Sequence, residues 1–256
     1  MIIITGLGRS GTSVVARLYK ELGFADIGGD WKTSVDAGLE ARDIVNINES
    51  IIQDLGIENL LIRNLWYQLP PTVSHVGLSM KKFIPTLFRH VSKFILAKML
   101  ALRNSKRQAR PLKWEHFYKV VRKYKPVLKN ISQKHEVVKD PRFCWTLPVW
   151  AEAGAEIEHV LVCIRHTDSM VKSRFNAGHL LTKSFGDAKN SMIYGLGLCI
   201  ATLYDYDIDH SIVRYPDFLQ KPDLLFASMK FPRPITWSTF LEVFYSVVDL
   251  SKVHFK

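Results

Sequence analysis

The run Ile2-Ile3-Ile4-Thr5, followed by Gly6-Leu7-Gly8-Arg9-Ser10-Gly11-Thr12-Ser13, constrains this chain more than any other stretch. Three consecutive β-branched apolar residues read as a strand buried on both faces, as in a parallel sheet. After the glycines, Val15, Leu18, Tyr19 and Leu22 recur at helical spacing over residues 12–22, and Gly23 ends the pattern. Strand, glycine-rich turn and helix in that order make an anion-binding loop. The glycines let a ligand approach the backbone, and the loop N–H groups and helix N-terminus then face it. A plain glycine turn is the bland alternative, and the strand-to-helix context favours the anion site.

The rest of the chain alternates in the same way. Strands are expected at 136–139, 159–164 and 211–214. Helices are expected at 39–55, 143–153, from 168 onward, at 187–206 and at 238–248. This alternation implies an α/β fold, a parallel sheet with helices on both faces in three layers. At 256 residues, 47% hydrophobic and 23% charged, the chain can bury its own core and is neither disordered nor fibrous. One domain over residues 1–256 is expected, with a helical insertion at about 56–135. Cys144, Cys163 and Cys199 are odd in number and form no CxxC, which excludes a disulfide framework and a thiolate zinc site. The sequence shows no signal-peptide pattern and no apolar run near the ~20 residues of a membrane span. The expected location is cytoplasmic, with a peripheral seat on a membrane as the variant.

The charge of +11 is concentrated. Residues 80–135 hold 16 of the 35 Lys and Arg and one of the 24 Asp and Glu, Glu115. Two basic helices are expected there, at 80–103 and 115–131. Phe83, Leu87, Phe94, Leu96, Met99 and Leu100 interleave the charges. Three readings stand: a lid whose apolar face packs on the core, an amphipathic surface for an anionic membrane through residues 80–110, and a patch for a polyanion such as a glycan. Nucleic acid ranks last, because no RNA-binding motif is present.

The loop admits more than one anion. Gly6, Gly8 and Gly11 match GxGxxG, and Asp26 and Asp30 lie about 20 residues on, where a dinucleotide site keeps its ribose carboxylate. That leaves open an NAD(P)-dependent oxidoreductase. The frame also matches GxxxxG of a P-loop, but Thr12 stands where the phosphate-binding lysine belongs, and the loop cation is Arg9. Two further cations follow core strands directly, Lys139 in Val137-Val138-Lys139-Asp140-Pro141-Arg142 and Arg165 after Val160–Ile164. Ligands of open α/β sheets bind at the carboxyl ends of strands. Arg9, Lys139 and Arg165 therefore point to a pocket for more than one anionic group, which a dinucleotide does not need. The bland readings are a surface ion pair for Lys139 and Asp140, a helix N-cap for Asp140 with Pro141 behind it, and a solvated strand end for Arg165. A non-enzymatic membrane- or polyanion-binding module on a dead nucleotide fold also stands.

These residues carry a resemblance. The chain resembles the sulfotransferases that use 3′-phosphoadenosine 5′-phosphosulfate (PAPS), most of all bacterial-type members with a Gly-x-x-Arg-Ser-Gly-Thr-Ser loop. The resemblance covers residues 1–55 and 136–220. It implies a P-loop NTPase-like sulfotransferase fold. It implies that Gly8, Arg9, Ser10, Gly11, Thr12 and Ser13 bind the 5′-phosphosulfate, and that Arg165 and Ser173, eight residues apart, bind the 3′-phosphate. The run 139–148 (KDPRFCWTLP) is similar to a third family marker, and 44–55 and 211–219 also look like family segments. What it implies chemically is transfer of a sulfuryl group from PAPS to a hydroxyl or amine of a carbohydrate, lipid or small molecule, releasing 3′,5′-adenosine bisphosphate (PAP). Arg9 and Lys139 would stabilise the transferring group, and no metal is implied. Glu40 is the first choice for general base, because carbohydrate sulfotransferases keep a glutamate in this region; Asp140 and Asp36 are the alternatives. Pro141 stands where cytosolic members have a histidine base. Their late glycine-rich loop is missing, and Arg233 or a basic insertion residue is the expected substitute for its phosphate contact.

Overall fold

Strand β1 (Ile2–Thr5) is central because nothing in it is polar until its last residue. Ile2, Ile3 and Ile4 are fully buried in the computed structural model, and each such burial contributes roughly 1.5–3 kcal/mol. The structure describes residues 1–24, 39–57, 114–176 and 185–248. β1 pairs in parallel with β2 (Val137–Lys139) on one side and with β3 (His159–Ile164) on the other. β3 pairs in parallel with β4 (His210–Arg214), so the sheet runs β2-β1-β3-β4. The register sets Ile4 beside Lys139 and Ile164 beside Arg214. The carboxyl ends of all four strands thus lie along one edge.

Successive side chains of a strand point to opposite faces. Ile2, Ile4, Leu161, Cys163 and Val213 pack against α1 (Thr12–Glu21), α7 (Pro222–Ser228) and α8 (Trp237–Val247). Ile3, Val138, Val160 and Val162 face α2 (Arg42–Leu55), α3 (Trp114–Lys134) and α4 (Phe143–Glu152). Residues of α5 (Thr167–Asn176) and α6 (Phe185–Asp205) join that second core. The molecule is therefore α/β, a parallel four-stranded sheet flanked by helices. No helix among the described residues is long and apolar enough to cross a membrane.

The expected strands appear within a residue or so of their places. The expected helix at 39–55 begins later, at Arg42. Two short elements were not anticipated, a 3₁₀ turn at Asp217–Leu219 and α7. The insertion between β1 and β2 ends in α3, whose buried face is Phe117, Val120, Val121, Tyr124 and Leu128. Lys123 and Lys134 pair with Asp54 and Asp43 of α2. For this part of the basic segment, an apolar face packs on the core while the charges face water. The expected helix at 80–103, and with it the candidate membrane surface at 80–110, lies outside the described residues.

Candidate functional site

The chain leaves β1 toward the α1 face and leaves the adjacent β3 toward the α5–α6 face. Neighbouring strands whose exits diverge open a crevice between them, where α/β sheets place their ligands. The loop after β1 forms one wall. Its backbone is bent by positive φ at Gly6 (146°), Arg9 (77°) and Gly11 (93°). For a non-glycine residue such as Arg9 that conformation costs about 1–2 kcal/mol. Runs of backbone bent this way gather N–H groups into anion-binding concavities. Among the described residues, no side chain caps the N-terminus of α1 at Gly11. Ser10 Oγ is buried and without a hydrogen-bond partner among the described residues.

Arg9, Ser173 and Arg165 come together in this crevice. Arg9 Nε donates to Ser173 Oγ at 3.0 Å, across 164 residues of sequence. Arg165 Nη1 donates to the Arg9 carbonyl oxygen at 3.3 Å. Two guanidinium groups thus share one mouth of the sheet, a positive field that an anion relieves. The eight-residue spacing works because α5 begins at Thr167, immediately after the strand end, which carries Ser173 back over the loop.

Tyr215 completes this wall and was missed. It is the first residue after β4, at the same edge as Gly6, Asp140 and Arg165, so the strand-end argument applied to the fourth strand would have found it. The Arg165 guanidinium lies 5.1 Å from its ring centroid. A Cβ on Gly11 would come within 2.6 Å of that ring, so glycine is required there for contact as well as conformation.

At the β2 end, Lys139 Nζ meets Glu40 Oε1 at 2.6 Å. The lysine side chain is 2% exposed and the glutamate 15%. Glu40 sits before α2, whose N-cap is Ala41, and so is not a first-turn helix carboxylate. Its Oε2 lies 3.7 Å from Arg142 Nη1.

Asp140 has a different setting from the other candidates. It is fully buried. Asn48 Nδ2 donates to Oδ2 at 2.9 Å, and the Arg142 backbone N–H and Nη1 each donate to Oδ1 at 2.9 Å. Thr5 Oγ1 donates to its carbonyl oxygen at 3.0 Å, tying the ends of β1 and β2. Asn48 in turn accepts from Thr146 Oγ1 and Trp150 Nε1, both at 2.8 Å. Asp140 is thus the hub that positions the β2 exit, and it holds the turn two residues before α4 rather than capping its first residue. Burial works against the charge of Arg142, but Asp140, Glu40 and Glu49 outweigh it and raise its pKa. The signal for Asn48 was a lone amide among Ile44, Val45, Ile51 and Ile52 on the buried side of α2.

Arg233 does not approach the loop. It donates to the Gly23 carbonyl oxygen at 2.9 Å and lies over the Phe24 ring, at the far end of α1. Asp26, Asp30 and Asp36 lie outside the described residues, as does the helix expected at 80–103. His166 sits exposed between β3 and α5. Among the described residues no three His, Cys, Asp or Glu converge as a metal site.

No protein-family model, no curated protein and no solved structure matches this chain.

Proposed function

We propose that this chain is a sulfotransferase that moves a sulfuryl group from PAPS to a hydroxyl or amine acceptor. The observation that carries the reading is the meeting of Arg9, Ser173 and Arg165 at the β1/β3 crevice. Residues that a dinucleotide site does not need gather where a doubly phosphorylated adenosine would present its two anionic ends. The P-loop-like sulfotransferase fold belongs to the same proposal, since it accounts for a glycine loop after β1 and an Arg–Ser pair after β3. The loop from Gly8 to Ser13 holds the 5′ end, and Arg165 with Ser173 holds the 3′-phosphate. Ser10 Oγ, buried and short of a partner, fits a loop that completes its hydrogen bonds around an anion.

The chemistry is an in-line transfer with a loose transition state, in which positioning and charge stabilisation dominate. The acceptor oxygen forms a new bond to sulfur as the bond from sulfur to the bridging phosphate oxygen breaks, and that oxygen keeps the electron pair. Arg9 and Lys139 stabilise the charge that develops there, each such donor being worth about 10²–10³ in rate. Glu40 holds Lys139 with Oε1 and takes the acceptor proton on Oε2. The products are the sulfated acceptor, PAP and that proton. Asp140, with both carboxylate oxygens engaged, positions Lys139 and Arg142 and takes no proton. The partner is a glycan, lipid or small-molecule acceptor.

The test is calorimetric titration with PAP, NADH and ATP, beside an Arg165→Ala variant. The expected result is saturable binding of PAP alone, weakened about tenfold to a hundredfold in the variant, as for loss of a charged hydrogen bond. Binding of NADH in preference to PAP moves the loop to the oxidoreductase reading. Binding of none of the three refutes the nucleotide site.

A further inference from the structure

Beside the loop lies an open cleft of about 520 Å³, within the roughly 300–1,000 Å³ of small-molecule sites. Leu7, Thr167, Ile193, Leu196, Gly197 and Ile200 line it. Thr167 is the one polar side chain among its described lining residues. Leu7 stands between the first two loop glycines, and Thr167 stands two residues past Arg165. The cleft therefore opens on the edge that holds the cation cluster, but on the α5–α6 side of the sheet. Tyr215 and α1 pack on the opposite side.

We infer that this cleft holds the apolar stem of the acceptor, so that the acceptor is an amphiphile: a hydroxyl carried on an alkyl or aryl body. The inference rests on the sulfuryl-transfer reading and narrows its substrate. Charged phosphate or sulfate has no partner on apolar walls and would lose its hydration there. The cation cluster and the Tyr215 ring serve an anionic aromatic ligand on the other side of the loop. What the cleft stabilises is uncharged apolar surface adjoining the transfer point.

Two glycines of α6 give independent support. A Cβ on Gly195 would lie 2.7 Å from the Trp145 ring, so close helix packing demands glycine there. Among the described residues, a Cβ on Gly197 would meet no atom within 4 Å outside its own helix backbone. A glycine inside a helix costs about 0.5–1 kcal/mol relative to alanine, and at Gly197 no contact among the described residues requires it. Its effect is to deepen the cleft. Ile193 beside it is 51% exposed, a large apolar side chain that such an occupant would cover.

The test is calorimetric titration of the full chain with 1-butanol, 1-hexanol and 1-octanol, with and without PAP, followed by Gly197→Phe. Affinity is expected to rise about fourfold for each added methylene. Gly197→Phe should abolish saturable octanol binding and leave PAP affinity unchanged. Ala201→Leu, at an exposed lining position one turn on, makes the same test if circular dichroism shows Gly197→Phe to be misfolded. PAP binding with no chain-length-dependent alkanol binding overturns the cleft and leaves the nucleotide reading standing. So does alkanol binding that both variants leave intact. Alkanol binding that the variants remove, in a protein that never binds PAP, keeps the apolar site and overturns its role in transfer.

Discussion

Replacing Asp140 by alanine separates scaffold from chemistry at the β2 exit. The carboxylate is fully buried and accepts from Asn48 Nδ2 and from two N–H groups of Arg142, all at 2.9 Å. Removing one partner of a buried charge pair costs about 3–5 kcal/mol. Arg142 keeps Glu49 at 2.9 Å and Glu40 at 3.7 Å, so its charge is not abandoned. The lower end of the range, about 3 kcal/mol, therefore applies, most of it from the stranded Asn48 amide and the lost backbone acceptor. For a chain of this size about 2–4 °C is lost per kcal/mol, so the melting temperature should fall by about 6–12 °C. Differential scanning calorimetry reads this directly. A double-mutant cycle with Asn48→Ala should show a coupling of about 0.5–3 kcal/mol, because the two side chains share one hydrogen bond. At 25 °C PAP affinity should be unchanged. A variant that melts within about 2 °C of the parent yet has lost transfer would refute the reasoning and return Asp140 to the reaction itself.

Glu40→Gln should lower the transfer rate by about 10²–10⁴ and leave PAP binding intact in calorimetry; full activity would remove Glu40 as base. Gly195→Ala should destabilise by about 1 kcal/mol net, because overpacking against Trp145 costs about 1–3 kcal/mol and exceeds the helix gain. Gly197→Ala should stabilise by about 0.5–1 kcal/mol, so the two variants should move urea midpoints in opposite directions. Partial burial works against the charge of Asp43, but His135 and Lys134 outweigh it and hold its pKa at about 2. That value lies below the ~3.9 of an unfolded chain, so the stabilisation is fully present above about pH 4 and lost as pH falls toward 2. Asp43 is about a third exposed, and screening reduces the effect to about 1 kcal/mol. Asp43→Asn should therefore be less stable than the parent at pH 7, and the gap should close between about pH 4 and pH 2 in pH-dependent urea denaturation.

The sheet was legible because β1, β2 and β3 are buried on both faces and so read as apolar runs. The same property made Arg9, Lys139 and Arg165 conspicuous as first charges after each run. Tyr215 was less so, because β4 is an edge strand in which only Val213 is buried, so no apolar run marks its end. The turn at Asp217–Leu219 and α7 have too few residues to show a period, and only Leu225 of α7 is fully buried. The Glu40–Lys139 pair joins residues 99 apart. Spacing along a chain says nothing of which helix start will face which strand end. Asn48 broke the apolar stripe of α2, yet of its three partners Thr146 and Trp150 come from α4 and Asp140 from the turn before it, which only folding brings together.

The contacts that shape the loop have a consequence for how the protein is made. Arg9 is synthesised 156 residues before Arg165 and 164 before Ser173. At about 5–20 residues per second the interval is roughly ten to thirty seconds. For most of it, until Val137 is made, the three isoleucines of β1 have neither neighbouring strand to pair with and remain a sticky edge on a nascent chain. A product truncated before residue 159 lacks β3 and leaves one side of β1 without its strand partner.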